Sequence, residues 1–172
     1  MQLSSRKLYF LSLCFVVLWL GLIIGAPFLL SLPSLNGKKI AFLIYWFFSP
    51  VCHQLTESSF IIYENQMAVC SRCFGIYLGM ILGVLIYPLL RSFDFTRVIH
   101  RRYMMLTPLP MIGDVVLLAM GVYPSLLWLK ALTGLLFGFA LPFYLLPALY
   151  QMVNQCVNFK SLASLIQTRG LK

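Results

Sequence analysis

Charge is what this chain has least of. Only 10% of its residues are charged, and its 172 residues include four acids and two histidines. A soluble domain carries about 25% charged residues. The shortage excludes one, given 61% hydrophobic residues and a mean hydropathy of +0.91. The chain also lacks a Gly-rich phosphate loop, a nucleophile elbow and a His-Glu-x-x-His pair, which removes the enzyme classes those motifs mark. There is no internal repeat and no low-complexity tract. The first apolar run, 8–30, is too long for a signal-peptide core and is followed by no small-x-small cleavage site, so it reads as a retained helix.

What is present is apolar sequence in runs of about 20 residues, enough to cross a hydrocarbon core about 30 Å thick. The runs predict an all-α polytopic integral membrane helix bundle, one domain over 1–172 with four or five transmembrane helices. The segments are 8–30, 40–55, 73–90, 104–122 and 125–150, with a basic loop at 91–103 and a tail at 151–172. The second segment has 16 residues and is interrupted by Pro50, so it is either a short helix or a re-entrant hairpin.

Thirteen lysines and arginines give a net charge of +9. They gather between the apolar segments, where basic residues report topology. The expected partner is therefore the lipid bilayer and not nucleic acid. With five crossings, nine of these cations face the cytoplasm and three (Arg6, Lys7 and Arg72) face out. With a re-entrant second segment, Arg6 and Lys7 exchange sides with Lys38 and Lys39, and the count is again nine to three. Both arrangements put the C-terminus in the cytoplasm and residues 52–73 outside, in a prokaryotic inner or plasma membrane.

That stretch concentrates the scarce chemistry. Cys52 and His53 are adjacent, Glu57 follows, and Cys70-Ser71-Arg72-Cys73 closes a window of 22 residues. Zinc takes thiolate and imidazole ligands, and a Cys-x-x-Cys spacing lets one turn supply two of them. The ligand set is Cys52, His53, Cys70 and Cys73, or a smaller set with a water position left open. Adjacent residues on a regular helix diverge by about 100°, so Cys52 and His53 can both bind only where the backbone is distorted. His53 and Glu57 share a face if the helix continues. An open position near Glu57 would favour hydrolysis of a membrane-associated substrate, and a closed one a structural pin. The same spacing suits a thiol–disulfide oxidoreductase using Cys70 and Cys73, where Arg72 favours thiolate, or a plain structural disulfide. Whether the protein is an enzyme stays open. Cys14 and Cys156 each stand alone and read as ordinary thiols.

Asp114 and Lys130 fall inside apolar segments, where ionisable groups are costly and are paired or functional. Their similar distances from the Tyr123-Pro124 turn make an Asp114–Lys130 ion pair available, as a structural pair or a substrate-facing one. Tyr77, one turn after Cys73, either faces the same interior as a hydrogen-bond donor or is an interfacial aromatic. Glu57, Asp114, Lys130 and Tyr77 are thus the catalytic candidates. Gly75/Gly79/Gly83 and Gly134/Gly138 follow the small-xxx-small pattern and are expected to pack on each other. Such ridges, with Gly21/Gly25 on the first helix, are also routes to a membrane-protein partner or a homo-oligomer. A packing or partner subunit without enzymatic activity is the third reading.

Cys52-His53-Gln54 followed by Cys70-x-Arg72-Cys73-x-Gly75-Ile76-Tyr77-x-Gly79 resembles the signature of a family of small prokaryotic membrane proteins classed as a domain of unknown function. Pro110-x-x-x-Asp114 and Gly134-x-x-x-Gly138 are similar to that family's second block. Two positions depart from the pattern: Lys130 stands where the resemblance implies arginine, and Phe74 where it implies a small or polar residue. The resemblance implies a fold and a site, and carries no activity.

Overall fold

A computed structural model describes the backbone of residues 5–91 and 101–169, and the side chains of 6–91, 102 and 104–155. Most of the basic loop and Lys172 lie outside the described residues, as do the side chains of Cys156, Lys160 and Arg169. The chain is an all-α membrane bundle. Three helical stretches are long and apolar enough to cross a bilayer: Arg6–Ser31, Ser71–Leu90 and Leu127–Gln155. A shorter apolar stretch covers Met104–Ala119.

Helix α1 (Ser5–Ser31) is followed by α2 (Leu35–Phe48), whose first turn is capped by Ser34 accepting the Gly37 N–H at 3.2 Å. Helix α2 stops at Ser49-Pro50 because proline offers no N–H and disfavours a helical residue before it. At 14 residues α2 rises about 21 Å, short of a crossing. It starts beside the C-terminal end of α1 and descends until Phe48 packs edge-on against Trp19, ring centroids 5.1 Å apart. The chain then climbs back, so that Tyr63 meets Phe28 and the Asn65 amide donates to the Pro27 carbonyl at 3.4 Å. It enters and leaves at the same end of α1, a re-entrant path relative to that helix.

The return carries a one-turn 3-10 helix, Thr56–Ser58, and a small antiparallel hairpin, β1 (Ile61–Ile62) and β2 (Asn65–Gln66). Tyr63 and Glu64 at the hairpin turn both have positive φ, 51° and 60°. Two left-handed residues match the right-handed twist of a two-residue hairpin, although neither is the glycine that tolerates this most easily.

Helix α3 (Ser71–Leu90) and helix α6 (Leu127–Ala140) make the tightest contact in the fold. A Cβ built on Gly75, Gly79 or Gly83 would run into the carbonyl oxygens of Ala131, Leu135 and Phe139 respectively. One on Gly134 or Gly138 would meet those of Arg72 and Ile76. The pairs advance in the same order along both helices, so α3 and α6 run parallel with backbones in contact. Both glycine ridges are thus used inside the chain, whereas Gly21 and Gly25 face open space. Along the sequence α3 and α6 are separated by α4 (Arg101–Leu106) and α5 (Leu109–Ala119), the latter followed by Gly121 at φ +71°. Helix α7 (Pro142–Arg169) continues from α6 after a break at Leu141, with Pro142 opening its first turn.

Candidate functional site

The parallel pairing of α3 and α6 puts the starts of both helices at one end of the bundle, where the re-entrant segment turns beneath them. Cys70 occupies the N-cap of α3 in an extended conformation, and Cys73 lies in the first turn. Cys52 comes from the bend after α2, where its N–H still bonds to the Phe48 carbonyl at 3.0 Å. The three sulfurs lie within 4.8 Å of one another. Tetrahedral zinc, with Zn–S bonds of about 2.3 Å, sets its sulfurs about 3.8 Å apart. The trio is therefore within about 1 Å of that spacing, and three soft donors suit such an ion.

At Cys52 the surroundings favour thiolate. The Cys70 N–H donates to Cys52 Sγ at 3.1 Å. Hydrogen bonds from the Cys70 and Cys73 thiols, with that backbone N–H, hold the Cys52 thiol far below the usual range against the opposing effect of burial.

The position of Cys52 depends on Gln54, which sits at φ 51°. Its amide donates to the carbonyls of Tyr45 at 2.8 Å and Ala68 at 2.9 Å, tying the end of α2 to the approach to α3. Gln66 returns the contact by donating to the Gln54 carbonyl and accepting from Thr56 Oγ1 at 2.9 Å. These amides fix the depth at which the re-entrant chain turns. Sequence reasoning registered Gln54 only as part of a motif.

The sulfurs open onto a cleft of about 230 Å³ whose lining includes His53, Ser58, Arg72 and Lys130. His53 is exposed and lies outside the three-sulfur group. Glu57 is exposed in the 3-10 turn and does not line the cleft, because the helix that would have placed it over His53 ends at Phe48. Tyr77 packs with Trp19, ring centroids 5.9 Å apart, at the edge of the core that holds Cys52.

The expected Asp114–Lys130 ion pair does not form. Asp114, 5% exposed, takes Arg72 as its partner at 2.5 Å and accepts a second hydrogen bond from the Tyr123 hydroxyl. Lys130, 7% exposed, donates to Ser58 Oγ at 2.9 Å and Ser125 Oγ at 2.6 Å. Equal distance from a turn fixes depth along a hairpin, not the face each side chain presents. Arg72 rides on the α3 turn that touches Gly134, within reach of α5, while Lys130 points at the re-entrant loop. The thiol-flanking position of Arg72 was its visible signal, and its carboxylate partner was not.

Tyr123 lies in the turn after α5, and its hydrogen bond to Asp114 raises its phenol above the ordinary value. The neutral phenol is the bonded form, so this contribution is complete below the unfolded pKa and is lost as pH rises through the folded one. Ultraviolet titration is expected to show one tyrosine whose ionisation moves to lower pH in Asp114→Asn.

The comparisons bear on this same region. The family model described as "Predicted membrane protein (DUF2085)" matches residues 52–144, from the first cysteine of the trio to the start of α7. An uncharacterized protein of the archaeon Methanocaldococcus jannaschii is 33% identical over 151 residues, spanning 86% of this chain and 96% of the relative. No solved structure matches the chain significantly. The matched segment contains every residue of the sulfur cleft except Val51, and the chain therefore belongs to the DUF2085 family of membrane proteins.

Proposed function

We propose that this protein holds a zinc ion on Cys52, Cys70 and Cys73, with the fourth coordination position open to the cleft. The observation that carries the reading is the convergence of three sulfurs within 4.8 Å at the mouth of that cleft. Structural zinc sites close all four positions, whereas sites that bind or activate a ligand keep one free. His53 lines the cleft without joining the sulfurs, which favours the open form. A bound zinc would supply Lewis-acid polarisation of an oxygen ligand there. The chain's own part is to hold three thiolates at fixed spacing through the Gln54 amide and the first turn of α3. The positive-inside count puts the cleft on the outer face of the membrane and the C-terminus in the cytoplasm.

The test is metal per chain beside free thiols, on protein purified anaerobically in detergent. Roughly one zinc per chain is expected, lost in Cys52→Ser, Cys70→Ser and Cys73→Ser and retained in His53→Ala. Absence of metal, with two thiols appearing only after reduction, would overturn the reading in favour of a thiol–disulfide oxidoreductase using Cys70 and Cys73.

A further inference from the structure

Lys130 is the charge in the cleft that no carboxylate meets. It stands in the first turn of α6, is 7% exposed, and its two partners are the hydroxyls of Ser58 and Ser125. The Arg72 charge is matched by Asp114, and among the described residues that is the one ion pair. A buried ammonium held only by hydroxyls is unfavourable unless a negative charge lies near. An ammonium has three N–H donors, so two serines leave one for the cleft. The groups of that cleft able to carry a negative charge are the three cysteine sulfurs.

We infer that Lys130 is the counter-ion of the thiolate centre. The inference rests on the zinc reading and adds the residue that balances the site's charge. Three thiolates and one divalent ion sum to −1. Arg72 and Asp114 sum to zero, so Lys130 makes the loaded site neutral. Lys130 and the three cysteines line one and the same cleft of about 230 Å³. Charges that are largely buried are screened by salt much less than exposed ones. A single charge sharing that cleft is therefore worth a large change in metal affinity. The serine clamps explain how the ammonium is kept at the cleft when no metal is bound. Ser58 belongs to the re-entrant return and Ser125 to the turn before α6, so Lys130 also joins the two halves of the site.

The test compares Lys130→Gln, Lys130→Met and Lys130→Arg in the full-length protein in detergent. Zinc affinity is read by chelator competition, and melting temperature is read with and without metal. The two neutral variants are expected to bind zinc at least roughly tenfold more weakly and to lose most of the metal-induced rise in melting temperature. Lys130→Arg is expected to keep both, because it keeps the charge. Glutamine retains hydrogen bonding to the serines, so it separates charge from clamping. Zinc binding in Lys130→Gln as tight as in the unmodified protein would overturn the inference while leaving the zinc reading intact. Equal loss in the arginine variant would overturn it too, by assigning the effect to shape. An unmodified protein that binds no zinc would defeat the zinc reading itself.

Discussion

Asp114→Ala is expected to destabilise the bundle by about 3–5 kcal/mol, the range for removing one partner of a buried ion pair. The carboxylate is 5% exposed, bonds Arg72 at 2.5 Å and accepts from Tyr123, so its loss strands a guanidinium between helices. Arg72 Nε already has no hydrogen-bond partner, so the guanidinium relies on Asp114 for its charge-assisted bond. The penalty comes from the stranded charge more than from the lost attraction. Removing both charges, in Arg72→Met with Asp114→Leu, is accordingly expected to recover most of the stability. Unfolding of the single and double variants in detergent checks this. A double variant as unstable as the sum of its parts would mean that the two side chains act independently and that no stranded charge sets the penalty. Because Arg72 stands between Cys70 and Cys73, the single variant is also expected to lower metal content.

The second large effect is expected at the α3–α6 seam. A Cβ on Gly138 would fall on the Ile76 carbonyl, a backbone atom that cannot swing aside as a side chain can. Gly138→Leu is expected to force the helices apart and to leave little folded protein in detergent, beyond the 1–3 kcal/mol or so typical of overpacking. Gly138→Ala adds that same Cβ and is expected to cost about 3 kcal/mol, the upper figure. The matched control is Gly25→Ala, where an added Cβ meets nothing within 4 Å. There the gain in helix propensity is expected to make the change neutral or stabilising by up to about 1 kcal/mol. Similar losses at both glycines would show that intrinsic propensity, not the seam, governs these positions. The seam also sets the site, since separating α3 from α6 moves the thiols on one away from Lys130 on the other.

Much of this was legible in the sequence because the bilayer imposes strong rules. Long apolar runs with few charges must become helices, since backbone polar groups find no partner in lipid. Glycines spaced by four mark where helices touch, and the Gly75/Gly79/Gly83 and Gly134/Gly138 ridges do meet. The convergence of Cys52 with Cys70 and Cys73 was also foreshadowed, because three of five cysteines within 22 residues flank one short excursion.

The rest needed coordinates that a linear pattern does not carry. Hydropathy left the second segment as either a crossing or a re-entrant hairpin. The structure turns it back through a left-handed Gln54 and its two backbone bonds, local chemistry that no periodicity reports. Rise along a hairpin predicted a partnership between Asp114 and Lys130. Their true partners, Arg72 on one side and two serines on the other, depend on which face each helix turns inward. Glu57 left the candidate site for a similar reason, since α2 ended before it could bring the carboxylate over His53. The sequence by itself determined the solvent, the helices, the close seam and the sulfur-rich loop, because composition and spacing act through the bilayer and through local geometry. Only the tertiary structure decided which charges pair and what lines the cleft, because those depend on the rotation of each helix about its own axis.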